Sequence, residues 1–181
     1  MRCVLPLLVL GSSLVTGGWA QRKGSPKHTS VALNLQTEAT GSVSVELIAA
    51  PDGPALAGSP SGQQALDLGP VSYGAGARGG NVQVDRHGGH HFVVRAKFGL
   101  RIQDKSQRFS SATLLASIAY PDTVFNLSVD GVKMVTTPQI IQPQARLGPV
   151  VAHRLEIEVP VSATEKNAQL RNAILFQVVP N

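Results

Sequence analysis

His91-Phe92-Val93-Val94-Arg95-Ala96-Lys97-Phe98-Gly99-Leu100-Arg101-Ile102-Gln103 is the stretch on which the fold turns. Phe92, Val94, Ala96, Phe98, Leu100 and Ile102 fall on one face of an extended chain. Val93, Arg95, Lys97, Gly99, Arg101 and Gln103 fall on the other. Apolar residues at every second position predict a strand with one buried side and leave no room for a helix.

The same period recurs on both sides of it. Val31, Leu33 and Leu35 alternate with small or polar residues across Thr29 to Thr37, and Val43, Val45 and Leu47 follow. Ala65 to Gly69 reads as a short strand and Thr113 to Tyr120 as an apolar one. Phe125, Leu127 and Val129 lead into Asp130-Gly131, a dipeptide suited to a tight hairpin turn because glycine tolerates positive φ. Leu155, Ile157, Val159 and Val161 alternate near the end, and Ile174, Phe176 and Val178 form the last candidate strand. Between these runs, Ala50 to Gln64 and Gly74 to Gly80 are dense in glycine or proline and read as loops. The only helix-like window, Ala163 to Ala173, is expected to be a loop or a single turn. The expected fold class is therefore all-β: an antiparallel, immunoglobulin-like β-sandwich forming one domain over residues 29–181.

The N-terminus has the order of an export signal. Arg2 is a short basic region, Val4 to Val15 is apolar, and Gly18-Trp19-Ala20 puts small residues before a cut between Ala20 and Gln21. Pro6 and Gly11 interrupt the apolar run, which is shorter than the roughly 20 residues of a membrane span. The expected organisation is a signal peptide at 1–20, a flexible leader at 21–28 and the β domain, with no transmembrane anchor in the mature chain. The expected location is secreted, periplasmic or at the cell surface.

Cys3, the one cysteine, leaves with the signal. The mature chain then has neither a disulfide nor a thiol nucleophile, although export favours disulfides. Removing Arg2 from the 16 basic residues leaves 15 against 11 acidic ones, a net charge of +4. That modest excess, with most aromatic residues at inward strand positions, argues against nucleic acid as a partner.

Few constellations carry chemistry. His87, His90 and His91 stand around Gly88-Gly89, a spacing that suits either a solvated turn or convergence on zinc or copper. Glu156 and Glu158 share a strand face about 6.6 Å apart at ordinary strand rise. This is the spacing of a catalytic carboxylate pair and equally of any solvent-facing strand. Arg95, Lys97 and Arg101 make a positive stripe that suits an anionic surface or, more plainly, protection against sheet aggregation. Asn126-Leu127-Ser128 is a glycosylation sequon that falls within a predicted strand. Nucleophile-elbow, phosphate-loop and zinc-protease motifs are absent, so the expectation is a protein that is not an enzyme and needs no cofactor.

Three segments set out the layout of a known group. Val31-Ala32-Leu33-Asn34-Leu35 comes first, then Leu66-Asp67-Leu68-Gly69-Pro70-Val71, and finally Ala173-Ile174-Leu175-Phe176-Gln177-Val178. In this order, behind an export signal, the chain resembles bacterial fimbrial-subunit-like and spore-coat-like surface proteins. Leu68 stands where those families have phenylalanine, and the near-terminal tyrosine is missing. The resemblance implies a secreted structural or adhesive protein, pilin-like in assembly. The strand at Thr29–Thr37 would then be donated to a neighbour, with Val31, Leu33 and Leu35 filling its pockets. Partners are self-association or other surface subunits through an edge strand. Pairing of that strand within its own sheet is the other reading. The alternative function is an extracytoplasmic ligand- or metal-binding module using the His87–His91 loop.

Overall fold

A computed structural model describes residues 29–58, 62–71, 82–166 and 168–181. The expected signal at 1–20, its cut between Ala20 and Gln21, and the leader at 21–28 lie outside these residues. Among the described residues, no helix is long and apolar enough to cross a membrane.

The described chain is almost wholly strand. In order it forms β1 (Thr29–Thr37), β2 (Val43–Ile48), β3 (Leu56–Gly58), β4 (Gln63–Val71), β5 (Val82–His87) and β6 (His91–Asp104). Then come β7 (Ser111–Ile118), β8 (Asn126–Val129), β9 (Val132–Lys133), β10 (Gln139–Arg146), β11 (Val150–Pro160), a short helix α1 (Val161–Glu165) and β12 (Gln169–Pro180). They pair into two sheets. The first has the order β10-β7-β12-β1-β4-β3; the second has the order β2-β6-β11-β8-β9, with β5 also paired to β6.

The decisive stretch does what its period requires. On β6, Phe92, Val94, Ala96, Phe98, Leu100 and Ile102 are all buried, and they meet Leu155, Ile157 and Val159 of β11 in the same core. From the opposite sheet come Val31, Leu33, Leu35, Ile174, Phe176 and Val178. Phe98 and Phe176 touch across the gap with ring centroids 5.4 Å apart. Each such side chain contributes roughly 1.5–3 kcal/mol by leaving water. One buried polar group also spans the sheets: Gln64 of β4 donates to the carbonyl of Leu47 in β2 at 3.1 Å.

The all-β expectation holds, with three corrections of detail. The pairing is not purely antiparallel, because β1 runs parallel to β12 from Ser30↔Gln169 to Thr37↔Phe176. The window Ala163 to Ala173 divides: a single helical turn closes at Glu165, and the rest belongs to β12, which starts at Gln169. The proline-rich segment after β2 is not wholly loop, since β3 pairs with β4. On the other hand, Asp130-Gly131 makes the predicted turn between β8 and β9, with φ of 50° and 82°. Gly69 (φ 69°) sits at a bulge where β4 gains a residue over β1, which lets Leu68 and Val71, three positions apart, both face inward.

One edge of β6 is shared. β5 pairs with residues 91–96 and β2 with residues 99–104, leaving a gap at Lys97 and Phe98. The turn after β2 fills it. A Cβ placed on Gly53 would stand 2.1 Å from the Lys97 carbonyl oxygen, so only glycine lets the turn lie on the strand. We expect Gly53→Ala to lose about 1–3 kcal/mol, the usual cost of overpacking. Gly89→Ala, with nothing within 4 Å of the added carbon, should stay within about 0.5 kcal/mol of the parent. Urea denaturation of both variants checks this.

Candidate functional site

The outer face of the second sheet carries most of the charge singled out above. Arg95 Nε donates to Glu156 Oε1 at 2.7 Å, and a second guanidinium nitrogen bonds to Asp85 of β5. Lys97 is bonded to Asp52, and Arg101 faces Glu46 at 3.7 Å. The three cations of the stripe are therefore matched by four carboxylates from four neighbouring segments. At these exposures each pair contributes only about 0.2–1 kcal/mol, but together they leave little uncompensated positive field. The stripe also lies on a central strand rather than at a sheet edge. Its carboxylates now explain Glu156, while Glu158 accepts from Asn126 Nδ2 at 3.1 Å. Both glutamates are engaged as cross-strand partners, and Asn126 of the sequon is exposed at the start of β8.

A cleft of ≈ 490 Å³ opens beside these charges, lined by Asp52, Lys97, Asp130, His153, Arg154 and Glu156 among others. At its base lies a pair that the sequence gives no reason to connect. His153 is on the core face of β11, opposite Phe98 in the register and 3% exposed. Its ring stacks on Phe98 with centroids 5.9 Å apart and planes at 27°. Asp130, in the hairpin turn, brings Oδ2 to 2.6 Å from His153 Nδ1, and its Oδ1 accepts the Arg154 backbone N–H at 2.7 Å.

Burial pushes the Asp130 carboxyl up, but the hydrogen bonds from His153 and from the Arg154 backbone outweigh it and hold the group below its ordinary 3.8. An ionised Asp130 only accepts, so the proton between the two groups sits on His153 Nδ1. A carboxylate-oriented imidazole is the orienting half of a hydrolytic triad. Among the described residues, no hydroxyl is hydrogen-bonded to this ring. What the pair visibly does is fasten the β8–β9 turn to β11.

A second carboxylate acts as a loop anchor. Asp104 Oδ1 accepts from Ser42 Oγ at 2.6 Å, and Oδ2 accepts the backbone N–H groups of Arg108 and Phe109 at 2.7 and 3.0 Å. Desolvation raises its pKa, and these bonds more than reverse that, so the group titrates well below an ordinary aspartate.

The sequence-predicted residues are placed as follows. His87 and His91 are cross-strand partners at the end of the β5–β6 hairpin, and His90 lies in the turn between them, exposed. The His90 carbonyl accepts the Val161 N–H at 2.8 Å and so caps the start of α1. Among the described residues, no group of three histidine, cysteine, aspartate or glutamate side chains is close enough to share a metal ion. Val31, Leu33 and Leu35 are buried in the core, on a strand held between β12 and β4 of the same chain. Sequence reasoning missed His153 and Asp130 because they lie 23 residues apart and neither sits in a recognisable spacing.

No family model matches this chain, and no curated protein matches it in sequence.

Lowering the pKa of Asp130 in the fold makes its ionised form stabilising. That stabilisation is present above pH 3.8 and is lost as the pH falls through the lower, folded value. We therefore expect Asp130→Asn to be less stable than the parent at about pH 7, with the difference shrinking below about pH 4. Acid titrations followed by far-ultraviolet circular dichroism test this. A constant difference down to about pH 2 would show that the charge of Asp130 plays no part.

Proposed function

We propose that this chain is an exported structural or adhesive protein of the cell surface, with an immunoglobulin-like β-sandwich body whose copies are linked by exchange of β1. The observation that carries the reading is the position of β1. It is the first strand of the described chain, yet it occupies the middle of its sheet, parallel to β12 on one side and antiparallel to β4 on the other.

A first strand withdraws from such a slot without unthreading any other element. The slot it leaves is lined by main-chain donors and acceptors of two strands and by the cavities now filled by Val31, Leu33 and Leu35. The same strand from a neighbour restores every contact, so exchange is close to neutral in contact energy and is driven by local concentration. Each copy donates to one neighbour and accepts from another, and the product is an open chain of subunits. Residues 38–42, which join β1 to β2, become the tether between bodies, and the signal at 1–20 directs export. The matched ion pairs on the second sheet fit a body that must stay soluble while its copies are concentrated together.

The test locks the strand in place. Asn34 and Ala173 are register partners in β1 and β12. A double cysteine variant at these two positions, oxidised after purification, holds β1 in its own chain. We expect the parent to form concentration-dependent oligomers by light scattering after brief warming. The oxidised variant should stay monomeric, and the reduced variant should regain assembly. A parent that is monomeric at every concentration, or an oxidised variant that assembles as the parent does, overturns the exchange. Export is tested separately: N-terminal sequencing of the secreted protein should begin at Gln21.

A further inference from the structure

The two outer faces of the molecule differ in a way that the exchange of β1 does not explain. On the second sheet the cations of the β6 stripe are paired off. On the first sheet, a trench of ≈ 600 Å³ runs across β4, β1 and β12. Its floor comes from small side chains. Ala65, Asn34 and Ala173 lie in one row across the three strands, and Ala32 stands beside Arg171 in the next. Alanines at these points leave the backbone surface open, and longer side chains rise around it: Asn34, Gln36, Arg171 and Tyr120.

Tyr120 is the unusual member. It is 68% exposed, the most exposed large hydrophobic side chain among the described residues. Yet its backbone is firmly held. Asn172, 7% exposed, accepts the Tyr120 N–H at 3.3 Å and donates Nδ2–H to the Tyr120 carbonyl at 2.9 Å. Its Oδ1 also accepts the Ala173 N–H at 2.8 Å, and Ala119 N–H bonds the Ala173 carbonyl at 2.9 Å. A buried amide used in this way imitates a strand partner and fixes the backbone from which an exposed aromatic ring projects at the lip of the trench. Burying that amide would cost about 1–3 kcal/mol if its bonds were not made.

Among the described residues, the side chains of Asn34, Gln36, Arg171 and Tyr120 have no hydrogen-bond or ion-pair partner, and Arg171 is the one charged group lining the trench. Two amides spaced about 6.8 Å along a strand, a free guanidinium fork and an exposed aromatic face on a held backbone match one kind of ligand. Its rings would stack through C–H faces on Tyr120 and offer hydroxyls in their plane to amides, with hydroxyls or a carboxylate for the fork. We propose that this trench binds a segment of a carbohydrate chain, with Tyr120 as the stacking platform and Asn34, Gln36 and Arg171 as the polar contacts. The proposal deepens the adhesive reading above by assigning it a ligand class, and it does not depend on β1 exchange.

Calorimetric titration of the purified protein with two probes tests it: a neutral glucan hexamer and a polygalacturonate hexamer. Binding of either in the millimolar to micromolar range is expected. A preference of about tenfold or more for the polygalacturonate assigns Arg171 to a carboxylate, and equal affinity assigns it to hydroxyls. Tyr120→Ala and Arg171→Gln should each weaken binding by about tenfold, equivalent to 1.4 kcal/mol, with unchanged circular dichroism. Failure of both probes, or binding that neither substitution alters, overturns the trench. The Gly89→Ala variant, altered outside the trench lining, should bind with the parent affinity. Oligomerisation without carbohydrate binding sinks the trench alone, and carbohydrate binding by a strict monomer sinks strand exchange alone.

Discussion

The antiparallel pairing of β6 with β11 is the constraint on which the rest of the structure depends. Its register is unbroken from His91↔Pro160 to Arg101↔Val150. Because strand side chains alternate, this one register decides everything on both faces. It buries Phe92, Val94, Ala96 and Phe98 against Leu155, Ile157 and Val159. It also sets Arg95 opposite Glu156 and Lys97 opposite Arg154 on the solvent side. A slip of one residue would exchange the two faces and place three cations in the core. The outer edge of β6 is completed by two strands and the Gly53 turn, so the longest strand has no exposed edge through most of its length.

That arrangement leaves the two sheets with different roles. The second sheet contains the long pairing and neutralises its own surface with ion pairs. The first is assembled from segments far apart in the chain, with the earliest strand of the described residues lying beside the latest. Its outer face is built from alanine, amide, threonine and leucine side chains, which impose little on their neighbours. Gln177 and Thr113 bond within the chain, whereas the polar side chains around the trench keep their hydrogen-bonding capacity for something outside it. This contrast, more than any single residue, separates the face that neutralises its own charges from the face to which carbohydrate is proposed to bind.

Much of the fold was legible because hydrophobic period is a local property. β6, β1, β2, β11 and the end of β12 each carry their alternation within a few residues, and the Asp130-Gly131 turn is encoded by two. What was hidden depends on partners. β10 contains Pro143 and pairs with β7 through two register shifts, so its segment has no clean period. β5 has only Val82 and Val84 to declare it, directly after a glycine-rich stretch. The parallel seam of β1 and β12 is a long-range fact that no local pattern encodes. The histidines illustrate the same limit. The conspicuous cluster at 87–91 lies on a hairpin tip, whereas solitary His153 is buried against a carboxylate. Residue type could not distinguish them; position in the sheet did. Tyr120 likewise closes an apolar run read as strand, yet it is exposed, two residues beyond the end of β7 at Ile118.

The described residues include no cysteine, so the body must obtain its specificity without covalent ties. Apolar burial favours collapse but discriminates poorly between registers two residues apart, which preserve the same faces. Three buried polar side chains supply the missing discrimination. Gln64 ties β4 to β2, His153 ties β11 to the β8–β9 turn, and Asn172 ties β12 to the segment after β7. Each would lose its partner in a slipped sheet, at about 1–3 kcal/mol apiece. None of the three is on β1. The elements around β1 are thus held in register independently of it, while β1 itself is retained mainly by main-chain pairing and apolar contacts that a second copy can supply. Under the proposed exchange, these ties would keep the central slot in shape whichever copy's strand fills it.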